Sequence, residues 1–347
     1  MNTKSKKPER LWYNPAKLLS YNKMLNFVMS HRGGGKTYSS KRLAIKNFLR
    51  SGEQFIYLRR YKTELKGDNI AKWFDDISVE FPGHEFSVKG HSFYIDGKCA
   101  GYAIALTQQV QVRSTPFPNV TLIIFDEFVL DDRGTNLKYL PDEVKTFLEI
   151  LSTVIRSRDN VRVICCANSI SYVNPYFDFW KIRINPDDKH EFYFSPINDQ
   201  VVLQLFSSNV FTEKMVQTRF GQLISGTAYG DYAINNTVLL DSQEFLMAKK
   251  PIDSHFVFSL KYDDKIYGCW FSETEQIYHF NTQHDPNTRF KFSVTTDDHA
   301  VDYTTIKSMK QNSFMKALKL YYNQGFCYYS TQEVKKDMLN IFKFIGI

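Results

Sequence analysis

The sequence predicts a three-layer α/β fold on a mostly parallel sheet, followed by a separate α+β domain, and three observations carry that expectation. Short apolar runs alternate with helically spaced segments through roughly the first 200 residues. One such run ends in the glycine-rich stretch "SHRGGGKT", Ser30 to Thr37, with a helical pattern behind it. Past about Asn198 the alternation stops, and from His255 onward short alternating strands with polar turns replace it. With 347 residues the chain exceeds the size at which single cores stop growing, so two domains are expected on length as well.

In order along the chain, "LNFVMS" (Leu25 to Ser30) reads as a strand, and "TYSSKRLAIKNFLRSG" as a helix with Leu43, Ile45, Phe48 and Leu49 at helical spacing and a stop at Gly52. "EQFIYLRR" (Glu53 to Arg60) is a second strand, and "SFYIDGKCAGYAIAL" a hairpin turning at Asp96-Gly97. Thr121 to Phe125, within "NVTLIIFDEF", reads as a strand buried on both faces with two carboxylates at its carboxyl end. Pro141 suits the first turn of a helix whose apolar positions Val144, Phe147, Leu148, Leu151, Val154 and Ile155 run into "RSRDN". "VRVICCAN", Val161 to Asn168, is a further buried strand. "TEKMVQTRFGQLISGTAYGDYAINN" reads as a helical connector with glycine-rich turns. "HFVFSLKY", "KIYGCWFS" and "QIYHFNT" form an antiparallel meander, "RFKFSVTT" is another strand, and helices are expected around Tyr303 to Tyr322 and Gln332 to Phe344. The expected boundaries are 1–200 for the first domain, 201–249 for the connector and 250–347 for the last domain.

Composition excludes some classes and leaves others open. A chain that is 43% hydrophobic, with 29 Phe and 21 Tyr, is too apolar to be disordered. Lys and Arg outnumber Asp and Glu by 44 to 37, a balance of +7 that suits a polyanionic partner without demanding one. The five cysteines include no C-x-x-C and sit mostly in apolar runs, as reduced buried thiols of a cytoplasmic protein do. "MNTKSKKPER" is followed by no apolar segment, and no run approaches the ~18 apolar residues of a membrane span, so no membrane partner is expected. The histidines show no ligand-like spacing, and no zinc is assigned.

A phosphate-binding loop needs consecutive backbone N–H groups aimed at an anion, a helix N-terminus behind them, a lysine for the β- and γ-phosphates and a hydroxyl for Mg²⁺. Gly33, Gly34, Gly35, Lys36 and Thr37 supply these parts, with Ser30, His31 and Arg32 completing the loop. Ser30 stands where the usual pattern has glycine. "TLIIFDEF" adds the partner feature, since P-loop ATPases hold Mg²⁺ through a carboxylate at the end of a neighbouring buried strand. Asp126 fits that role, and Glu127 is placed to polarise the attacking water. The expected ligands are therefore ATP and Mg²⁺. Asn168 ends the strand expected between the two nucleotide-binding strands, where an amide would sense the γ-phosphate or simply close a turn. Arg156 and Arg158 close the helix that follows the acidic strand. Spacing leaves open whether they complement the helix dipole or enter a neighbouring subunit's site as an arginine finger.

These motifs, with "WYNPAKLLSYNKMLNFVMSHRGGGKTY", "GEQFIYLRRYKTEL", "EFPGHE", "FYIDGK", "PNVTLIIFDEF", "NPYF", "TRFGQLISGTAYG" and "HDPNTR" in order and spacing, resemble the DNA-encapsidation ATPase of small tailed podophages with protein-primed linear genomes, a relative of the large terminases. The resemblance covers nearly the whole chain. It implies a P-loop ATPase of the additional-strand, catalytic-glutamate type with a C-terminal RNase-H-like domain, a vestigial nuclease that serves in docking. It also implies a homo-oligomeric ring, usually a pentamer, attached transiently to the portal vertex of a prohead in the host cytoplasm and absent from the mature virion. The ring drives double-stranded DNA inward, in members of this type often with a prohead RNA as a further partner. Arg156 matches the family's trans-acting arginine, and Lys62 and Arg113 match basic residues near the nucleotide and subunit interface. "LDDRGTNLKYL" occupies the loop that reaches the channel, which makes Arg133 and Lys138, together with Lys62, the candidates for DNA contact, although the segment departs from the family in length and in where its basic residues fall.

Two other classes compete with this motor. A terminase with a working nuclease needs acids clustered on core strands to hold two metals about 3.5–4 Å apart. "FVFSLKY" carries none, while Asp263, Asp264, Asp297 and Asp298 fall in turns or after strands. A structural nucleic-acid-binding module with a dead ATP site would not need Lys36, Thr37, Asp126 and Glu127 together.

Overall fold

The structure, a computed structural model, describes residues 11–131, 137–184, 190–236, 238, 244–306 and 313–346. It divides into two units, Met1–Leu240 and Asp241–Ile347.

In the first unit the strands are β1 (Leu25–Ser30), β2 (Gln54–Arg59), β3 (Phe86–Lys89), β4 (Ser92–Ile95), β5 (Lys98–Ala105), β6 (Val120–Asp126), β7 (Arg162–Asn168), β8 (Phe192–Phe194) and β9 (Val201–Phe206). They form one sheet in the order β3-β4-β5-β2-β6-β7-β1-β9-β8. From β5 to β9 every neighbouring pair is parallel, and the added edge strands are antiparallel. Helix α1 (Ala16–Leu19) precedes β1, and α2 (Lys36–Ser51), α3 (Asp68–Ala71), α4 (Gln109–Val112), α5 (Glu143–Ile155) and α6 (Pro175–Phe179) lie between strands.

The period of the strands builds the layers. Phe27, Met29, Ile56, Leu58, Ile123, Phe125, Val163 and Cys165 point into one core, which α5 closes with Val144, Phe147, Ile150, Leu151 and Val154. The alternate residues Val28, Phe55, Leu122, Ile124, Ile164 and Cys166 point into the other, which α2 covers with Ala44 and Ile45. Truncating Phe125, fully buried among aromatic rings, would cost about 3–5 kcal/mol. The hairpin expected at Asp96-Gly97 is present, with both residues at positive φ (51° and 73°), as a tight two-residue turn requires.

The expected connector from 201 is different in the structure. "VVLQLF" is β9, pairing in parallel with β1 from Leu25↔Val201 to Ser30↔Phe206, so the first unit continues to Leu240. Helices α7 (Asn209–Val216), α8 (Arg219–Ile224) and α9 (Ala228–Asn235) follow within that unit. Each is capped at its N-terminus by a hydroxyl, from Ser208, Thr218 and Thr227.

In the second unit β10 (His255–Tyr262), β11 (Lys265–Ser272) and β12 (Ile277–Asn281) form the expected antiparallel meander. β13 (Lys291–Ser293) joins β10 in parallel, and β14 (Thr304–Thr305) joins β13 in parallel. Strand β15 (Cys327–Tyr329) pairs in parallel with β12 at the opposite edge. The helix expected from Tyr303 is described as α10 (Ser313–Asn323), because Thr304 and Thr305 belong to the sheet. The last helix, α11 (Gln332–Ile345), buries Val334, Met338, Ile341, Phe342 and Ile345 at helical spacing. Among the described residues no helix is long and apolar enough to cross a membrane.

Candidate active site

Three strand ends converge in the first unit. β7 lies between β6 and β1, with Asp126↔Cys166 and Ser30↔Asn168 in register, so Ser30, Asp126 and Asn168 share one edge of the sheet. Open parallel sheets bind ligands at such an edge.

Each glycine of the loop after β1 has its own reason. Gly33 and Gly35 stand at φ 79° and 84°, where a side chain is strained. A Cβ on Gly34 would lie 2.8 Å from Ser30 Oγ and 3.1 Å from the His31 ring. The loop is pinned from outside by the Tyr13 amide, which donates to Gly34 O at 2.9 Å. Behind it α2 begins at Lys36, its first-turn N–H groups lacking partners within the helix. Lys36 Nζ donates to Ser30 Oγ at 2.8 Å, to the carbonyls of His31 (3.0 Å) and Ser30 (3.2 Å), and to Asn168 Oδ1 at 3.2 Å. Burial pulls its pKa down to about 8, against the opposing pull of Cys166 and Asp126. His31 is buried edge-on to Phe211 of α7, with ring centroids 4.0 Å apart, and burial with the Lys36 charge lowers its pKa to about 4. Arg32 is exposed.

At the other end of the loop Thr37 Oγ1 donates to Asp126 Oδ1 at 2.8 Å, and Tyr57 Oη donates to Asp126 Oδ2 at 3.0 Å. Burial first, and the Asp126 charge second, keep the Tyr57 phenol protonated and donating. Glu127 follows at φ 59°, its side chain 60% exposed and 2.6 Å from Arg59 Nη2. Arg59 also binds Glu64 Oε1 at 2.5 Å and lies 3.5 Å from Asp126. A hydroxyl and a carboxylate side by side are hard oxygen ligands of the kind Mg²⁺ prefers, and the cradle of amides is of the kind phosphates prefer. The residues present therefore fit a Mg-nucleotide.

The basic residues separate by environment. Arg156 is the C-cap of α5 at φ 51°, exposed and without a side-chain hydrogen bond or ion pair among the described residues. Arg158, for which spacing leaves the helix-dipole and interface readings open, is held within its own chain: its guanidinium donates to the carbonyls of Phe117, Pro118, Val120 and Val154 at 2.6–3.0 Å. Arg113 pairs with Glu149 of α5 at 3.5 Å. Lys62 and Lys138 are exposed, and the backbone of Lys138 is tied to the Tyr61 hydroxyl. Arg133 lies outside the described residues.

Several site residues were not read from the sequence. Tyr57 and Arg59 sit in "FIYLRR", where only strand alternation places them at the carboxyl edge. Arg60 and Glu143 form a buried ion pair beneath Glu127. A mainly apolar cavity of about 920 Å³ opens beside the glycine loop, lined by Trp12, Tyr13, Gly35, Tyr38, Arg42 and Glu80 among others. The aromatic pair in "WYNP", ahead of the strand that leads into the glycine-rich loop, was the available signal.

A family model described as "Podovirus DNA encapsidation protein (Gp16)" matches residues 7–347. The chain is 39% identical over 333 residues to the DNA packaging protein of Bacillus phage phi29, covering 96% of this chain and 97% of the relative. It is also similar to a chain in the structure of the bacteriophage phi29 viral genome packaging motor assembly, with a TM-score of 0.78 and 38% identity over 97% of this chain and 100% of that one. A third likeness is to the N-terminal domain of the phi29 DNA packaging ATPase, at 43% identity and a TM-score of 0.51 over 58% of this chain and 98% of that one.

Proposed function

The chain belongs to the podovirus DNA encapsidation protein (Gp16) family, and on that premise we propose that it is the ATP-driven subunit of a motor that moves double-stranded DNA into a preformed prohead. The observation that carries the reading is the meeting of the glycine cradle, the Thr37–Asp126 pair and Glu127 at one sheet edge.

The geometry supports the following roles. Lys36 and the amides of Gly33 to Thr37 bind the β- and γ-phosphates of ATP, where the ammonium exchanges loop carbonyls for phosphate oxygens. Thr37 and Asp126 would hold Mg²⁺, which neutralises charge on the phosphates when bound. Tyr57 fixes the second oxygen of Asp126. Glu127 takes the proton of the attacking water, and Asn168, beside Lys36, senses the γ-phosphate. The cavity at Trp12 receives the adenine, whose flat apolar face suits an aromatic wall.

The further parts of the reading rest on single features. Arg156, exposed at its helix end, serves a neighbouring subunit in a homo-oligomeric ring, a pentamer in the resembled family, and Arg113 lies toward the same interface. The exposed Lys62 and Lys138, with Arg133, contact DNA. The second unit is an RNase-H-like docking domain for the portal, and for a prohead RNA where one is present. That assignment is supported by a three-strand meander to which two further strands are added in parallel beside the first. Against a working nuclease stands the use made of its acids. The Asp298 carboxylate accepts from the amides of Asp263 and Thr295, at 2.7 and 3.0 Å, and so caps turns.

The test is ATP-dependent protection of DNA from nuclease inside proheads. Wild-type chain is expected to protect it and Lys36→Ala is not. Protection by Lys36→Ala would contradict the reading.

A further inference from the structure

Directly beneath Glu127 lies a polar cluster that none of the roles above uses. Arg60, the residue after β2, is 3% exposed at its side chain, and Glu143, the first residue of α5, is 1% exposed. Arg60 Nε lies 3.0 and 2.9 Å from the two Glu143 oxygens, and Nη2 is 2.9 Å from Oε1. The rest of the fork is aimed at the backbone after β6: Nη1 donates to Glu127 O at 3.1 Å and Nη2 to Phe128 O at 2.6 Å. Glu143 is itself completed by the Tyr176 hydroxyl at 2.7 Å and the Leu140 amide at 2.9 Å. The Tyr139 ring lies 4.9 Å from the guanidinium, and its hydroxyl accepts from the Leu130 amide at 3.0 Å.

A buried ion pair is weak evidence for stability, because desolvation cancels much of its attraction. What this pair does instead is geometric. Glu127 stands at φ 59°, a left-handed conformation uncommon for an L-residue and one that its surroundings must support. Arg60 holds the two carbonyls that follow that turn, and the Phe128 amide is held by Cys166 O at 3.2 Å. The peptide groups on the carboxyl side of Glu127 are thereby fixed. We infer that Arg60, anchored by Glu143 and Tyr176, is a positioning residue that sets the backbone turn from which Glu127 acts on water.

The inference rests on Glu127 being the base, and the experiment separates the two. In the full-length chain, kcat and KM for ATP and the affinity for a non-hydrolysable analogue are measured for Arg60→Lys, Glu143→Gln and Tyr176→Phe. Each is then repeated in the Glu127→Gln background. Lysine keeps the charge but cannot fork to a carboxylate and two carbonyls. A carboxylate misplaced by about 1 Å loses about 10²-fold in rate, so Arg60→Lys and Glu143→Gln are expected to lower kcat by about that factor with KM and analogue affinity unchanged. Tyr176→Phe, which removes one hydrogen bond and spares the fold if the others do not, is expected to give a smaller loss of the same kind. In the Glu127→Gln background none should cause further loss, because the group they position is gone. Losses that multiply with Glu127→Gln, or that fall on KM and analogue affinity, would overturn the positioning role. Wild-type turnover by Glu127→Gln would remove the reading beneath it.

Discussion

Two buried basic side chains, a neutral imidazole and an ammonium, give the loop its pH behaviour. The His31 pKa is lowered from 6.5 to about 4, so its contribution to stability is fully present above about pH 6.5 and is lost as pH falls toward 4. Denaturant midpoints at pH 7 and pH 5 are expected to drop less for His31→Ala than for wild type, and equal drops would show that the ring does not titrate as its burial dictates. Lys36 behaves in the opposite sense toward ligand. With its pKa lowered to about 8, binding of phosphate must take up a proton above that pH, so nucleotide affinity should fall as pH rises through 8. Lys36→Arg, always charged, should flatten that dependence wherever it still binds nucleotide, and a wild-type affinity that stays flat to pH 9 would contradict the account. Neither residue's titration was legible in the sequence. "SHRGGGKT" names the loop, but the ring of Phe211 and the carbonyl partners that bury these two side chains come from far along the chain or from the fold of the loop itself.

At the scale of elements, the helix α5 ends in two arginines with different fates. Arg158→Ala removes one donor from each of four carbonyls, which should cost about 1–3 kcal/mol of stability seen in denaturant titration. Arg156→Gly is expected to be near neutral for stability, since glycine accepts the φ of 51° freely, yet to lower hydrolysis in the assembled ring by about 10³-fold or more. If Arg156 acts in trans as proposed, mixing Arg156→Gly with Lys36→Ala subunits should restore part of the turnover, because each would lack a different half of one shared site. A mixture that forms rings and stays inactive would place the arginine's role within its own subunit. Spacing could not divide these arginines, because the carbonyls around Arg158 come from residues 117–120 as well as from its own helix. Strands β6 and β7 were legible as apolar runs bounded by polar ends. β9 is just as apolar but has no following crossover helix and return strand, so rhythm alone ended the first domain one strand too early.

For the whole molecule, a surplus of +7 and exposed lysines such as Lys62 and Lys138 suit a partner recognised by its phosphates. Affinity for duplex DNA should fall with a log–log salt slope of about −0.9 per phosphate neutralised and vary little with sequence. Strong discrimination between duplexes of equal length would contradict that. The two-unit organisation was legible in the loss of the α/β rhythm, and so was a strand at β13 within "RFKFSVTT", whereas its parallel pairing and the strands β14 and β15, two and three residues long, were not. The central claim is that Lys36, Thr37, Asp126 and Glu127 form one ATP-hydrolysing site, and phosphate release measured beside Mg-ATP binding tests it most directly. Glu127→Gln is predicted to bind Mg-ATP as wild type does and to hydrolyse it about 10²–10⁴-fold more slowly, while Lys36→Ala and Asp126→Ala lose binding and turnover together. Near-wild-type hydrolysis by Glu127→Gln, or undiminished Mg-ATP binding by Lys36→Ala, would contradict it.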